Sequence, residues 1–216
     1  MPDGPARARI FLLSPAYSGG KRAELLLGGR GRFPLAERLR AGARVTIGEA
    51  FSFLSGLYFR GKLTYALRFA RAPAGLPGVQ VITTNRGLLP ADTPVTMDDL
   101  RAFAATGIRA EDPDYHQPLR RDLAVIREAE RGRAAPLEVV LLGSVATGKY
   151  VDVLLDVVGE RLFFPTEFVG RGDMSRGALL LRAARADQEL AYVRVASALR
   201  RGPQPRKPSL AHTDEG

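Results

Sequence analysis

The sequence predicts an α/β domain, a three-layer sandwich whose central, mostly parallel sheet of about five strands is flanked by helices. Three observations carry that prediction. Five short runs are almost continuously apolar: Arg9–Leu13 (RIFLL), Val79–Thr83 (VQVIT), Glu138–Leu142 (EVVLL), Arg161–Phe164 (RLFF) and Leu190–Val195 (LAYVRV). They lack the alternation of a half-exposed sheet, as expected of strands covered by helices on both faces. Turn chemistry rich in Gly, Ser, Asn and Pro follows them, and the stretches between them repeat apolar residues at helical spacing.

Taken in order, the first run leads into a glycine-bearing basic stretch, Lys21 to Arg44, that reads as a mobile loop. Leu63, Ala66, Leu67 and Ala70 then fall on one helical face. A helix opens near Thr96, an N-cap with Asp99 three residues on, and runs to about Ala105. The segment GIRAEDPDYHQP, residues 107–118, reads as a polar loop that carries His116. Leu119, Leu123 and Ile126 mark a helix ending near Gly132, and Val151, Leu154, Leu155 and Val158 mark one ending at Gly159. A last helix covers residues 177–186. This divides the chain into a flexible N-terminus (1–8), a single domain (9–199) and a disordered, basic, Pro-rich tail (200–216).

Composition removes whole classes of chemistry. The 216 residues are 45% apolar, enough for a full core, and contain no cysteine. Disulfides, thiolate metal sites and a cysteine nucleophile are therefore excluded. His116 and His212 are the only histidines, too few for a histidine-rich metal site. A carboxylate site for Mg²⁺ or Ca²⁺ stays open; no metal and no cofactor is expected. No apolar run approaches the roughly 20 residues of a membrane span, and MPDGPARAR lacks a signal peptide's apolar core. The expectation is a cytoplasmic protein without a membrane partner.

The formal net charge is +9, with almost all the basic residues Arg. Its densest patch comprises Lys21, Arg22, Arg30, Arg32, Arg38, Arg40 and Arg44 against Glu24 and Glu37. Such a patch attracts phosphate backbones, so Lys21, Arg22, Arg30, Arg32, Arg38 and Arg40 are the expected nucleic-acid contacts. An ordinary solvated surface is the plainer alternative.

Four strand-end segments could carry chemistry. Gly143-Ser-Val-Ala-Thr-Gly148-Lys149-Tyr150 has P-loop spacing after a strand and before a helix, but Tyr150 stands where a Ser or Thr should ligate Mg²⁺. What survives is an anion-binding turn at a helix N-terminus, with Ser144 and Lys149 as ligands. Ser14-Pro-Ala-Tyr-Ser18-Gly-Gly-Lys21 offers Ser14 and Ser18. Thr83-Thr-Asn85-Arg86-Gly87 offers Arg86 beside a tight turn. The connection from Phe164 to Gly177 holds Glu167, Arg171, Asp173, Ser175 and Arg176, more than a plain turn requires. Asp173 and Glu167 are the candidate catalytic carboxylates, and Asp173 or Ser175 also suits a helix cap. In a parallel sheet all four segments converge on one edge, where open α/β sheets bind ligands.

Three stretches of the chain resemble the YaaA peroxide-stress family and related bacterial α/β proteins with a glycosylase-like fold. They are the strand with LLSPA, Gly56-Leu-Tyr58-Phe-Arg-Gly61-Lys with the later VQVITTNRGLLPADTPV, and VVLLGSVATGKYVDVL. The family's Ser-x-x-Tyr-Gly turn is replaced here by Thr84-Asn-Arg86-Gly87. The resemblance implies a DNA-binding stress-response protein, with Ser14, Tyr58, Gly61, Gly87, Leu88, Ser144 and Tyr150 lining a pocket.

The leading functional expectation is a nucleic-acid- or nucleotide-binding protein, DNA favoured. An N-glycosidic hydrolase acting on DNA or nucleosides is its catalytic form. The alternatives are a small-molecule enzyme on a phosphorylated metabolite, a non-catalytic protein docking an acidic partner, and a nucleoside triphosphatase. Oligomeric state is not legible.

Overall fold

The computed structural model describes residues 7–29, 31–108, 112–131, 133, 136–145 and 148–198. The expected three-layer α/β sandwich is present. Its sheet has six strands: β1 (Arg9–Leu13), β2 (Val79–Ile82), β3 (Leu88–Pro90), β4 (Glu138–Leu142), β5 (Leu162–Pro165) and β6 (Tyr192–Arg194). They lie in the order β3-β2-β1-β4-β5-β6. The four central strands are parallel, while β3 and β6 run antiparallel at the two edges.

The extra strand, β3, is three residues long and ends in Pro90, which an edge strand tolerates because no neighbour needs its N–H. It forms a hairpin with β2. The turn is held by the Thr83 hydroxyl, which accepts from Arg86 N and donates to Gly87 O, both at 2.9 Å, and by Gly87 at φ 69°.

The helices are α1 (Lys21–Leu27), α2 (Pro34–Arg40), α3 (Ile47–Ser55), α4 (Leu57–Phe69), α5 (Met97–Ala105), α6 (Pro113–Glu130), α7 (Gly148–Val158) and α8 (Asp173–Arg185). Helix α4 packs on α3, α8 and β1, whereas α6 packs on α7. Crossovers from β1 and from β4 thus leave in opposite directions along the sheet, and the β1–β4 boundary is its topological switch point.

Three expectations are corrected. The Lys21 to Arg44 stretch is two short helices, not a mobile loop. Its apolar Ala23, Leu26, Ala36 and Leu39 are buried and outweigh its glycines. The polar stretch before Leu119 is helical from Pro113 onward. Asp112 caps that helix through Asp114 N at 3.0 Å, and Pro113 takes the first position, where no N–H is needed; His116 therefore lies on a helix. Helix α8 starts at Asp173, four residues earlier than expected, with Gly172 as a cap that makes no side-chain bond. Neither Asp173 nor Ser175 caps it. By contrast, Thr96 and Asp99 form the expected capping box on α5. The expectations for residues 1–6 and 200–216 lie outside the described residues.

Candidate functional site

Register places the site. Leu13 pairs with Leu142, so Ser14 and Gly143 leave adjacent strands side by side at the switch point, and Ser14 N donates to Leu142 O at 3.2 Å. The approach is tight. A Cβ on Gly143 would stand 2.8 Å from both the Ser14 Cβ and the Tyr150 hydroxyl oxygen, so only glycine lets the three meet.

Lys62 fills the space behind Ser14. It is 1% exposed, and its Nζ donates to Ser14 O at 2.6 Å and to Ser14 Oγ at 2.9 Å. The ammonium lies 4.6 Å from the Tyr58 ring centroid and 4.8 Å from that of Phe59. No carboxylate among the described residues stands within ion-pair distance of it. Burial strips the cation of water and lowers its pKa to about 7, against the opposing pull of the Asp173 charge.

Tyr150 completes the cluster. Its hydroxyl accepts from Ser144 N at 3.0 Å and lies in hydrogen-bonding relation to Ser14; burial nevertheless raises its pKa. The Tyr115 hydroxyl is buried and has no hydrogen-bond partner among the described residues, while the buried Tyr58 hydroxyl faces the Arg176 guanidinium. Burial raises the pKa of both.

The remaining charges come from α8, drawn in by two glycines. A Cβ on Gly61 would stand 2.6 Å from Gly177 O, and one on Gly177 would stand 2.8 Å from Tyr58 Cα. Backbone therefore meets backbone where α4 crosses α8. Tyr58 and Lys62 share that face of α4, as Asp173 and Arg176 share that face of α8, through i, i+3 and i+4 spacing. Arg176 donates from Nε and Nη2 to Phe168 O at 3.2 and 3.0 Å and covers the Phe168 ring. Its Nη1 is 3.7 Å from the exposed Asp173 carboxylate.

Of the residues expected from sequence, Ser14, Tyr58, Ser144, Tyr150, Asp173 and Arg176 gather here. Ser18 is half-buried in the loop before α1 and bonds Ala16 O at 3.3 Å. Arg171 is exposed and donates to Ser175 Oγ at 3.1 Å, so this pair lies on the rim. Arg86 and Gly87 belong to the β2–β3 hairpin, where Arg86 pairs with Asp99 at 2.9 Å. That hairpin borders a separate hollow lined by Asn85, Thr106, Pro113 and Gln117. Glu167 sits in a single 3₁₀ turn, Thr166–Phe168, beside a cavity lined by Leu179, Arg182 and Glu189. It is not brought together with Asp173 at the Lys62 cluster. Lys149 belongs to α7, and its side chain lies outside the described residues, as does Arg30.

The basic patch is partly occupied by its own fold. Arg22 donates to Phe53 O, Arg38 to Glu49 and to Arg44 O, and Arg40 to Gly29 O. Lys21 and Arg32 are exposed. Among the described residues no group of three His, Asp or Glu could hold a metal ion, and no helix is long and apolar enough to cross a membrane.

Sequence reasoning missed Lys62. A signal was available: Tyr58, Lys62, Tyr65 and Phe69 recur at i, i+4, i+7 and i+11, which places the lysine within an aromatic stripe. No family model, no curated protein and no solved structure matches the chain.

Proposed function

We propose that the protein binds nucleic acid or nucleotides at the β1–β4 switch point, with phosphates held at the rim and a base received over the Ser14–Lys62 cluster. The observation that carries this is Tyr17. It is 77% exposed, three residues beyond the buried Ser14, four before Lys21 and five before Arg22. An exposed ring whose chain neighbours are cations, at the end of a strand that carries a buried polar cluster, suits base stacking with phosphates neutralised alongside. Val169, on the loop after β5, and Met174, in the first turn of α8, are exposed on either side of Arg171 in the chain and extend the same rim. The fit with the YaaA family belongs to this proposal. So do a preference for DNA, a cytoplasmic location and a role in stress response. Five of the seven residues that the resemblance implies line a pocket, Ser14, Tyr58, Gly61, Ser144 and Tyr150, lie close to one another. Within the proposal an N-glycosidic step would rest on Asp173, whose charge acts on Lys62, Tyr58 and Tyr150.

The test is fluorescence anisotropy with short single- and double-stranded DNA and RNA across a salt series. The expected result is affinity that falls steeply with salt, with the slope reduced by about 1 for each phosphate contact removed in Lys21→Gln or Arg171→Gln. Tyr17→Ala should cost about 1–3 kcal/mol on single strands. Absence of binding at low salt overturns the nucleic-acid reading. Thermal stabilisation by mononucleotides or sugar phosphates, without affinity for polymers, would leave a small-molecule site in its place.

A further inference from the structure

We propose that Ser14 is a nucleophile and Lys62 its general base, a serine–lysine dyad that transfers acyl groups from carboxylic esters or amides. The inference goes beyond the binding reading and does not need it, since rim cations would govern affinity and the dyad would govern chemistry.

A serine hydroxyl becomes nucleophilic when a base takes its proton within hydrogen-bond reach, and lysine serves as that base only where it is neutral at working pH. Both conditions are met by the geometry. Lys62 Nζ is 2.9 Å from Ser14 Oγ and is sealed against two aromatic rings, without a carboxylate in ion-pair range among the described residues. Burial disfavours the ammonium, in keeping with its lowered pKa. The groups that face it are Tyr58 from its own helix, Ser14 from the end of β1, Tyr150 from α7, and the charges of Asp173 and Arg176 from α8.

Exposure decides which of the pair reacts. Lys62 is 1% exposed and spends its hydrogen bonds on Ser14, whereas Ser14 is 7% exposed at the strand end. Of the two groups Ser14 is the one that keeps some exposed surface, which favours a serine nucleophile over an imine-forming lysine. The neighbours decide the substrate class. Phosphoryl transfer needs several cations or a metal around the transferred group, but the cation touching Ser14 must give up its charge to act. The Tyr150 hydroxyl, polarised by the Ser144 N–H bonded to its oxygen, suits instead the single oxyanion of acyl transfer.

The step balances without a cofactor. The Ser14 Oγ–H proton passes to neutral Nζ while Oγ bonds to the substrate carbonyl carbon. Collapse of the tetrahedral intermediate breaks the bond to the leaving group, which departs with the proton from Nζ. Water then attacks the acyl-serine, giving one proton to Nζ, and that proton returns to Oγ as the acid is released.

The test uses the full chain, a fluorophosphonate probe, and mass spectrometry of the intact protein and its peptides. The expected result is a single adduct on Ser14, formed at a rate that rises with pH through a midpoint near 7. Ser14→Ala should abolish it, and Lys62→Met should slow it by at least about 100-fold while circular dichroism stays unchanged. No adduct on the folded wild type overturns the proposal, as does labelling indifferent to Lys62→Met. If Lys62→Met does not fold, the wild-type profile decides: a labelling rate flat between about pH 5.5 and about pH 9 overturns it. None of these readouts requires nucleic acid, so failure here and failure of DNA binding are separable.

Discussion

The two ends of β1 treat buried charge in opposite ways. At its start, Arg9 is clamped by Glu138, at 2.5 Å from Nη2 and 2.9 Å from Nε, and by Glu189 through Nη1. Arg7 and Arg71 reach the same two carboxylates, and Arg9 lies over the Tyr192 ring. Burial works against the Glu138 charge, yet hydrogen bonds from Arg9 and Arg7 outweigh it and hold the carboxyl below its ordinary pKa. About five residues further on, some 16 Å along the strand, Lys62 is buried behind Ser14 with no carboxylate in ion-pair range among the described residues. The first end closes its charges into a tie across β1, β4 and the segment before β6. The second buries a lysine with no opposite charge in ion-pair range among the described residues. A buried charge satisfied by its partners is architecture, whereas one left short of partners is where chemistry is sought.

The largest effect should come from breaking the satisfied end. Arg9→Ala would leave Glu138 and Glu189 partly buried without their shared cation, and loss of one partner of a buried pair costs about 3–5 kcal/mol. Urea denaturation should show that loss, and a cost near zero would remove the distinction between the ends.

Removing the cation at the other end should act in the opposite direction. Lys62→Met deletes a charge that no described residue pairs, so at or below neutral pH the variant should be at least as stable as wild type. The pH dependence has a definite sign. Below about pH 7 the lysine is protonated whether folded or not, and the folded state bears the full cost of burying the ammonium. Between about pH 7 and the ordinary lysine value of 10.5, the unfolded chain binds more protons, so wild-type stability climbs with pH. The limiting slope is about 1.4 kcal/mol per pH unit. Denaturation at about pH 6.5, 8 and 9.5 should therefore show the wild type gaining on Lys62→Met; parallel curves would mean that the lysine is not depressed.

A third change tests how the second end is assembled. Gly61→Ala would drive a methyl to 2.6 Å from Gly177 O, forcing α8 away from α4. The expected loss is about 1–3 kcal/mol. Because Asp173 and Arg176 ride on α8, fluorophosphonate labelling of Ser14 should also change. Ala at Gly159, where φ is 63° but nothing lies within 4 Å of the added carbon, should lower stability without touching that labelling.

How much of this could be read from sequence follows from the same physics. The strands were legible because burial on both faces makes them continuous apolar runs, and β1 and β4 appear with the predicted bounds. Short β3 was not, because three residues ending in proline carry no run. Helices α1 and α2 were hidden by glycines and charges around only four buried side chains. On α4 the predicted apolar face was rotated: Leu67 is exposed, while Tyr58, Lys62, Tyr65 and Phe69 turn inward. A lysine in that stripe runs against the ordinary preference of charge for solvent, which is why Lys62 escaped notice while the hydroxyls around it did not. Strand-end placement, by contrast, is a matter of topology, and it pointed to Ser14 and Ser144, while Tyr150 was reached through the family resemblance.

The smallest expected effects give the sharpest contrast, because they compare the two ends by one oxygen each. Tyr65, near the satisfied end, bonds the Tyr192 hydroxyl at 2.6 Å and accepts from Leu190 N at 2.8 Å. Tyr65→Phe deletes both bonds and leaves Leu190 N–H without that acceptor, so a loss of about 1–2 kcal/mol is expected. Tyr115, near the cluster, has a buried hydroxyl with no partner among the described residues. Replacing an unpaired buried oxygen with hydrogen removes a desolvation cost and no bond, so Tyr115→Phe should leave stability unchanged or raise it by a few tenths of a kcal/mol. Both substitutions keep the ring and its packing, and urea midpoints at constant slope would measure the difference directly. Equal losses at the two tyrosines would show that Tyr115 is satisfied in solution and that the second end is as closed as the first.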